Sequence, residues 1–373
     1  MKSIKDLKSL TGKKVILRVD LNVPIKNGVV LDDFRIKKVI PTILFLQKKG
    51  AKVIIISHLG EDGKDSLLPV SIKIKKYIKE IDFIQTPIFS DETEKRINSL
   101  KNGEIVLLEN LRSETGEKKN SPSFARALSR YGEIFVNDAF SVSHREHASI
   151  VGITKYLPGY AGFQFMIEIE NLSKVFNPSH PFLFILGGAK FETKIPLIKK
   201  FLRSADHIFI GGAIANDFFK ARGYEVGTSL VGPTNFQIPL LLKAKNLVLP
   251  IDVEVTKSSK NRFTNPSDIL PEENIVDVGP KTIELLKDLV NKSEFILWNG
   301  PLGKYETGFG GATEEVLKII AKSKAKSVIG GGDTAALISK LKIEDKLGFV
   351  STGGGATLDF LSKGTLPGIR VLK

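Results

Sequence analysis

The chain has 373 residues, of which 42% are hydrophobic and 26% are charged, and its formal net charge is +14. This profile is that of an ordinary globular protein, and the length predicts two domains that each bury their own core. The sequence contains no cysteine, which excludes a disulfide framework, a thiolate metal site and a cysteine nucleophile.

The N-terminal sequence and the charge pattern narrow the class of protein further. The first 14 residues have no apolar core of signal-peptide length, and no stretch approaches about 18 uninterrupted apolar residues. We therefore expect a cytoplasmic protein with no membrane partner. The positive charge comes mostly from scattered lysines, with 11 arginines among the 55 basic residues. No arginine-rich arm or aromatic-interleaved basic stripe is present, so we expect no nucleic-acid partner.

Short apolar segments recur along the chain, and each ends in small or polar residues before a helical pattern begins. They carry no alternating polar face, which is typical of central strands that are covered on both sides of a parallel sheet. The predicted strands are 14–20, 51–60, 104–112 and 133–140 in the first half, and 182–190, 207–215, 246–253, 295–303, 327–335 and 349–357 in the second.

Helical patterns with recognisable start signals lie between these strands. Ser121 is predicted to cap a helix that opens at Pro122, Pro280 opens another, and Thr313 is predicted to cap a third. The alternation of strands and helices predicts an α/β fold of two doubly wound, Rossmann-like domains with parallel sheets. Residues 163–177 are predicted to form one rigid helix between the domains, because this stretch contains no Gly/Ser run.

Glycines follow the predicted strands of the second half. They are Gly187-Gly188, Gly211-Gly212, Gly330 to Gly332, and Gly353 to Gly355. Glycine lets backbone N–H groups approach a phosphate closely, and the N-terminus of the following helix adds partial positive charge. A single such turn could serve the bend alone, but four in one domain indicate phosphate binding. Neither a P-loop nor a G-x-G-x-x-G fingerprint is present at these turns.

The first half has arginines and other polar groups at the corresponding positions. They are Asp20, Asn22, Arg35, His58, Arg112 and Arg145. A guanidinium fork in a loop after a strand can grip a carboxylate or a phosphate, although a structural salt bridge is the alternative for any single arginine. His58 can equally be a core histidine. His144 and His147 lack further metal ligands nearby, which disfavours a metal site there.

One domain with glycine turns and another with arginines predicts two anionic ligands that meet across a cleft. Lys190 and Lys194 could neutralise phosphates and Asp333 could hold Mg²⁺, although each of them alone is more often a surface charge. Phosphoryl transfer needs positioning, charge neutralisation and exclusion of water more than covalent catalysis. The alternatives are a basic nucleic-acid-binding protein and a nicotinamide-dependent dehydrogenase, and the sequence lacks the signature of each.

Ten motifs, in their order along the chain, resemble those of the phosphoglycerate kinase family. They are RVDLNVP, DDFRI, SHLG, LLENLR, VNDAF…HREHAS, ILGGAKFETKIPLI, EVGTSL, WNGPLGKYE, IGGGDTA and VSTGGGATLDFL, and they extend from about Arg18 to the C-terminus. No single motif would suffice, but together they are highly specific. The resemblance implies a glycolytic reaction, the reversible and Mg²⁺-dependent transfer of a phosphoryl group between ATP and the carboxylate of 3-phosphoglycerate.

The resemblance also implies roles for individual residues. The 3-phosphoglycerate ligands would be Asp20, Leu21, Asn22, Arg35, His58, Leu59, Gly60, Arg112 and Arg145. The nucleotide ligands would be Lys190, Lys194, Gly211, Gly212, Asn299, Pro301, Glu306, Gly331, Gly332, Asp333 and Thr334, with Asp333 as the Mg²⁺ contact. The catalytic residues would be Arg35, Lys190, Gly332 and Gly355.

By the same resemblance, residues 1–162 form the 3-phosphoglycerate-binding domain and residues 178–356 form the nucleotide-binding domain, with the helix 163–177 between them. Residues 357–373 are expected to fold back onto the first domain, and Thr352 to Gly355 to belong to the hinge and to a phosphate-binding helix start. The family implies a monomer that closes by hinge bending.

One loop departs from the family pattern. The family usually reads S-H-L-G-R-P, whereas this chain has Glu61 and Asp62 after Gly60, so a carboxylate replaces an arginine expected near the 3-phosphate. Lys64 could substitute for that arginine, Glu61 could point outward, or substrate affinity could be reduced. Smaller departures are Ser141-Val142-Ser143 before His144, and GGAIAN in place of GGxMA.

Overall fold

A computed structural model describes residues 1–233 and 238–372, and they divide into two compact units. The first unit is Met1–Glu170 together with the C-terminal residues from Thr365, and the second is Asn171–Gly364. Each unit is built around its own parallel sheet with helices, so the predicted α/β class with two sheets is confirmed.

The first unit contains a six-stranded parallel sheet and a short antiparallel hairpin. Its strands are β1 (Lys14–Val19), β2 (Ile25–Lys26), β3 (Val29–Val30), β4 (Lys52–Ile56), β5 (Ile81–Phe83), β6 (Ile105–Leu107), β7 (Ile134–Asp138) and β8 (Gly159–Ala161). The strand order of the large sheet is β5-β6-β4-β1-β7-β8, and β2 pairs with β3. Its helices are α1 (Phe34–Lys48), α2 (Leu68–Ile74), α3 (Asp91–Asn98), α4 (Thr115–Lys118) and α5 (Pro122–Ser129).

Continuous burial explains why the first-unit strands carry no polar face. The central strand β1 lies between β4 and β7, and all of its residues after Lys14 are buried. One stripe of α1, which includes Ile36, Ile43 and Leu46, packs into the same core as these strands. In α5, the hydroxyl of Ser121 accepts the backbone N–H of Phe124, and this confirms the predicted cap.

A helix crosses the boundary between the units. It is α6 (Phe163–Ser173), and a 3-10 turn, Lys174–Phe176, follows it. The chain is divided between Glu170 and Asn171, inside this helix.

The second unit also has a six-stranded parallel sheet, with order β11-β10-β9-β15-β16-β17, and it carries an additional three-stranded antiparallel sheet, β13-β12-β14. Its strands are β9 (Phe182–Leu186), β10 (His207–Ile210), β11 (Leu247–Val248), β12 (Val253–Lys257), β13 (Lys260–Thr264), β14 (Asn274–Val278), β15 (Phe295–Asn299), β16 (Lys326–Gly330) and β17 (Phe349–Val350). Its helices are α7 (Phe191–Phe201), α8 (Gly212–Ala221), α9 (Ile238–Leu241), α10 (Pro280–Lys292), α11 (Gly311–Lys322), α12 (Gly332–Leu341) and α13 (Gly355–Lys363). A short helix, α14 (Pro367–Arg370), follows and belongs to the first unit.

The antiparallel sheet differs from the single strand predicted over 246–253. That segment divides into β11, which ends at Val248, and β12, which begins at Val253 in the other sheet. Pro250 lies between them, and proline cannot donate the next ladder hydrogen bond. Buried and partly exposed residues alternate at the start of β12, as expected for a sheet with one solvated face.

Two further boundaries differ from the sequence prediction. The helix α11 begins at Gly311, two residues before the predicted cap, and the buried Thr313 hydroxyl instead accepts the backbone N–H of Leu302 at 2.9 Å. The C-terminal segment that lies with the first unit begins at Thr365 rather than at 357, because residues 357–363 continue α13 in the second unit. Beyond it, the backbone N–H of Gly368 donates to the carbonyl of Ser143 at 2.9 Å. None of the helices in 1–233 and 238–372 has the length and apolar content to cross a membrane.

The start of α10 rests on one buried carboxylate. Asp252, 4% exposed, accepts the backbone N–H groups of Lys281 at 3.0 Å and Thr282 at 2.7 Å, and also the Thr282 hydroxyl at 2.7 Å. Asp252→Ala leaves the N–H groups of Lys281 and Thr282 without this acceptor, while the Thr282 hydroxyl keeps its bond to the backbone carbonyl of residue 252. We therefore expect the variant to lower the free energy of unfolding by about 2–3 kcal/mol. Urea unfolding followed by the fluorescence of Trp298, the sole tryptophan and a residue of β15, measures this loss.

The matched control removes an exposed carboxylate from the same helix. Asp288 pairs with Lys292 at 2.6 Å at the surface, and Asp288→Ala should cost less than about 1 kcal/mol. Equal losses for the two variants would show that Asp252 does not hold the start of α10.

Candidate active site

Polar and charged residues of the first unit collect at the carboxyl edge of its sheet. Asp20 follows β1, His58 follows β4 and Arg112 follows β6, and these three strands are neighbours in the sheet. Because parallel strands all end at the same edge, residues far apart in sequence meet there. Hydrogen bonds through Asn22 and Gly60 connect Asp20 to Arg112.

Arg35, from the first turn of α1, is tied to the end of β1. Its Nη1 donates to Asp20 Oδ2 at 2.6 Å and to the carbonyl of Asn22 at 3.1 Å. Burial alone would raise the pKa of Asp20, but the charge of Arg35 and the hydrogen bonds from the Ser141 hydroxyl and the Asn22 N–H outweigh burial and lower this pKa to about 2. Asp20 is therefore charged, and it orients the guanidinium of Arg35 at the edge of the sheet.

Two asparagines shape the loop after His58. The Asn110 side chain accepts from the Leu59 N–H at 3.1 Å and donates to the Leu59 carbonyl at 2.7 Å. The Asn22 side chain accepts from the Gly60 N–H at 3.1 Å. Gly60 has φ +65°, and a Cβ on it would lie 2.4 Å from the carboxylate of Asp65, so the tight turn requires glycine. In the same network the backbone N–H of Leu21 donates to the Ser57 hydroxyl at 2.9 Å.

Arg112 reaches this loop from the 3-10 turn after β6. Its side chain is only 1% exposed, and its Nη1 donates to the carbonyl of Gly60. The Arg112 Nε is buried, and it finds no hydrogen-bond partner anywhere in residues 1–233 and 238–372. A buried guanidinium N–H without a partner is costly, and it leaves a donor available for an anionic ligand.

Glu61 faces this arginine. Its Oε1 lies 3.1 Å from Arg112 Nη1, and its Oε2 lies 3.8 Å from both Arg145 Nη1 and Lys118 Nζ. Lys64, considered as a substitute cation, is 84% exposed and instead pairs with Asp62 at 3.3 Å. Of the alternatives considered for this loop, an outward-turned Glu61 does not describe the structure, because its carboxylate is solvent-accessible but faces three cations.

His58 is both buried and part of the network. Arg18 Nη2 lies 3.1 Å from His58 Nδ1, and since a guanidinium only donates, Nδ1 accepts and the ring proton is on Nε2. Burial, reinforced by Arg18, lowers the pKa of His58 well below its usual value, so the ring is neutral. Sequence reasoning did not include Arg18 in the site, although a charged residue inside an apolar strand was a signal for it.

A second layer of charge lies behind these residues. Arg18 Nε donates to Ser149 Oγ at 3.0 Å, and Ser149 in turn donates to the buried carboxylate of Glu117 at 2.6 Å. His147 Nδ1 lies 3.7 Å from Glu117, and burial together with neighbouring arginines lowers its pKa to about 4. These residues support the network from inside, and neither Glu117 nor Lys118 was singled out from the sequence.

The second unit brings its glycine turns to the carboxyl edge of its own sheet. The helices α7, α8, α12 and α13 all begin at this edge, and no side chain caps any of the four N-termini. A first-turn N–H group without a partner can bind an anion, with the partial positive charge of the helix behind it. In α8, however, the N–H groups of Gly212 and Ile214 already donate to the carbonyls of Leu302 and Gly188, and in α13 the N–H of Ala356 donates to the carbonyl of Gly353.

Lys194 lies beneath these turns. Its Nζ donates to the carbonyl of Gly187, and burial lowers its pKa to about 8, a shift that Asp333 opposes and Lys190 reinforces. A Cβ on Gly188 would lie 2.7 Å from this ammonium, and a Cβ on Gly300 would lie 2.5 Å from it. The glycines are thus needed because any side chain would fill the space around the lysine head group.

Buried donors and acceptors without partners line the same edge. Asn299 Nδ2, at the end of β15, and Thr334 Oγ1, in the first turn of α12, make no hydrogen bond to any described residue. The carbonyl of Pro301 accepts the Gly188 N–H at 2.7 Å, and the Gly212 N–H donates to Leu302 at 3.1 Å. Unpaired buried polar groups next to uncapped helices are typical of a ligand site.

The remaining predicted residues of this unit are exposed. They are Lys190 before α7, Glu306 in the 3-10 turn Tyr305–Thr307, Gly332 and Asp333 in the first turn of α12, and Gly355 at the start of α13. Gly211 and Gly331 directly precede α8 and α12. No group of three or more His, Asp or Glu side chains that could hold a metal occurs in the described part of the chain. Mg²⁺ commonly binds one or two carboxylates together with substrate phosphates, so the single carboxylate of Asp333 fits an ion that arrives with a polyphosphate.

The chain is similar to known proteins along nearly its whole length. The family model described as phosphoglycerate kinase matches residues 4–364. A phosphoglycerate kinase from Dictyoglomus turgidum is 41% identical over 100% of this chain and 99% of its own length. One from Thermosipho africanus is 41% identical over 98% of this chain and 96% of its own.

Solved structures extend the similarity to the fold. The structure of phosphoglycerate kinase from Coxiella burnetii matches with a TM-score of 0.84 at 36% identity, covering 99% of this chain and 98% of that one. The structure from Pyrococcus horikoshii matches with a TM-score of 0.89 at 32% identity, covering 100% of this chain and 98% of that one. This chain therefore belongs to the phosphoglycerate kinase family.

Proposed function

We propose that the protein catalyses reversible phosphoryl transfer between ATP and 3-phosphoglycerate, giving ADP and 1,3-bisphosphoglycerate, as an enzyme of glycolysis. The observation that carries the proposal is the unused buried hydrogen-bonding capacity at both sheet edges, at Arg112 in the first unit and at Asn299 and Thr334 in the second. Each edge is equipped for an anion, one with guanidinium groups and the other with backbone amides. Family membership supports the same reaction.

The first unit binds 3-phosphoglycerate. Asp20 and Asn22 hold Arg35 and the loop at Gly60, so that the arginine and the backbone are fixed before the substrate arrives. His58 is neutral, with its proton on Nε2, and can donate a hydrogen bond without adding charge. Arg112 and Arg145 supply fixed positive charge for a phosphate.

The second unit binds the nucleotide. The uncapped N-termini of α8 and α12 present partial positive charge to phosphate oxygens, and Gly211, Gly212, Gly331 and Gly332 let the nucleotide approach the backbone closely at these turns. The N–H groups of Gly211 and Gly212 themselves donate to the carbonyls of Leu186 and Leu302. Lys190 and Lys194 neutralise phosphate charge, and the unpaired groups of Asn299 and Thr334 complete the set. The remaining nucleotide contacts are Pro301, Glu306 and Asp333.

With the substrate on the first unit and the nucleotide on the second, the reaction is a direct in-line transfer. A carboxylate oxygen of 3-phosphoglycerate attacks the γ-phosphorus, a new P–O bond forms, and the bond to the bridging oxygen of ADP breaks. Arg35 and Lys190 stabilise the equatorial oxygens, together with the N–H groups at Gly332 and Gly355. Asp333 would hold Mg²⁺, which supplies positive charge that neutralises the phosphate oxygens when it is bound with the nucleotide.

The transfer also needs the two ligands to meet and water to be excluded. We assign the first unit, Met1–Glu170 with the segment from Thr365, to the substrate domain and the second unit, Asn171–Gly364, to the nucleotide domain, with hinge bending around α6. Closure would protect the acyl phosphate from hydrolysis and strengthen each charge contact. The protein acts as a cytoplasmic monomer in this proposal. An assay coupled to ADP formation, with ATP, Mg²⁺ and 3-phosphoglycerate compared against other carboxylic acids, tests the reaction, and absence of turnover with 3-phosphoglycerate would refute it.

Arg35→Ala should slow catalysis far more than it weakens nucleotide binding. Loss of one donor that acts on the transition state costs about 3–4 kcal/mol, so kcat should fall about 100- to 1000-fold. The KM for ATP should change less than about threefold, because the contact is made mainly in the transition state. Steady-state kinetics with both substrates varied measures the two effects.

Arg130→Ala is the matched control, because Arg130 is an exposed arginine of the same unit at the end of α5. It should leave kcat and KM near the wild-type values. Equal losses of kcat and ATP affinity in Arg35→Ala would contradict the assigned role.

The protonation of Lys194 should appear in the pH profile. Its pKa of about 8 means that the amine becomes neutral as the pH rises through that value, and a neutral amine cannot pair with a phosphate. We expect kcat/KM for ATP to fall above about pH 8, by about tenfold per pH unit. In Lys194→Arg the guanidinium stays charged, so this alkaline limb should disappear even if the plateau is lower. An unchanged alkaline limb in the arginine variant would assign it to another group.

A further inference from the structure

The Glu61 carboxylate lies where an anionic ligand of the first unit would be held. Its two oxygens are 3.1 Å from Arg112 Nη1 and 3.8 Å from Arg145 Nη1 and Lys118 Nζ. No other carboxylate in residues 1–233 and 238–372 lies within 4.0 Å of any of these three cations. Glu61 is therefore their local counter-ion.

The cations are held in place more firmly than the carboxylate. Arg112 is 1% exposed and bonds to the carbonyl of Gly60, whereas the Glu61 side chain is 69% exposed. The Lys118 ammonium bonds to the backbone carbonyl of Glu61, and this contact does not depend on the carboxylate. The side chain of Glu61 can thus leave while Arg112 and Lys118 keep these backbone contacts.

Pairing with Glu61 also leaves part of the hydrogen-bonding capacity of the three cations unused. The Nε of Arg112 still has no partner while Nη1 is paired with Glu61. A phosphate carries about −1.5 to −2 charge and three acceptor oxygens, and so can bond to more of these donors than one carboxylate can. An incoming phosphate can therefore bind this cluster more strongly than the Glu61 side chain that it displaces.

We propose that Glu61 is an internal competitor for the phosphate end of the substrate and thereby sets the affinity of the first unit for phosphorylated acids. A tethered carboxylate acts at a high effective concentration, so every ligand that needs the cluster of Arg112, Lys118 and Arg145 binds after displacing it. A ligand without a phosphate does not need the cluster and is not affected. This inference rests on the proposed function for the identity of the substrate, but not for the competition itself.

The test compares Glu61→Gln with Asp62→Asn. Both variants remove one negative charge from the same loop, but Asp62 pairs with the exposed Lys64 and not with the cluster. Isothermal titration calorimetry with 3-phosphoglycerate, inorganic phosphate and glycerate gives three affinities for each variant. Glu61→Gln should bind 3-phosphoglycerate and inorganic phosphate about three- to tenfold more tightly, and Glu61→Arg more tightly still.

Glycerate affinity should stay unchanged in Glu61→Gln, and Asp62→Asn should match the wild type for all three ligands within about twofold. In turnover, Glu61→Gln should lower the KM for 3-phosphoglycerate without changing that for ATP, which a merely structural role would not do. Unchanged or weaker phosphate binding in Glu61→Gln, or an equal gain in Asp62→Asn, would overturn the inference.

The inference and the proposed function can fail separately. If the wild-type protein shows no turnover but Glu61→Gln still tightens binding of inorganic phosphate, the function fails and the competition stands. If the wild-type protein turns over 3-phosphoglycerate and the variants all bind alike, the function stands and the competition is refuted.

Discussion

The parallel arrangement of the strands in both large sheets is the constraint from which the candidate sites follow. Every strand of such a sheet ends at the same edge, so the direction of the strands alone brings together loops from distant parts of the chain. In the first unit these loops carry Asp20, His58 and Arg112. In the second they carry the Gly187-Gly188 and Gly211-Gly212 turns. The difference between the two sites therefore lies in the side chains at equivalent places in a similar sheet.

The two edges use different sources of positive potential. The first has guanidinium groups that are held by carboxylates and carbonyls, as Arg35 is held by Asp20. The second has backbone N–H groups at uncapped helices, with Lys194 as a buried ammonium below them. Guanidinium forks match a planar carboxylate or a terminal phosphate, whereas a row of amides follows a longer polyphosphate. In the proposed reaction, these donor types assign the acceptor to the first unit and the nucleotide to the second.

Much of the fold and part of the site could be predicted from the sequence, and the limits have physical causes. Strand β1 and the cap at Ser121 depend on local patterns, namely continuous apolar residues and a hydroxyl before a proline. The hydroxyl of Thr313 was wrongly assigned as a cap because its partner, Leu302, is not a neighbour within the helix. The antiparallel sheet around Val253 was missed because a proline divides a segment that otherwise reads as one apolar strand.

In the candidate site, too, residue types could be predicted from the sequence but contacts between distant segments could not. Residue types such as Arg35 and Asp333 indicate anion and metal chemistry only in combination with their neighbours and motifs, because each of them alone is more often a structural or surface charge. The direction of a surface carboxylate such as Glu61 depends on three cations from separate segments, and no sequence pattern records that. Arg18 was predictable only in part. Its charge within an apolar strand is visible in the sequence, but its contact with His58 is not.

The discontinuity of the first unit has a consequence for biosynthesis. Its final segment begins at Thr365, after the entire second unit, and attaches through the Gly368 N–H to Ser143 and through the Leu372 carbonyl to the N–H of Lys2. On the ribosome, the amino-terminal lobe must wait in an unfinished state while nearly 200 residues of the other lobe are translated. The lobe that is made first is thus expected to be the last to mature, and the nascent chain must avoid aggregation during that delay.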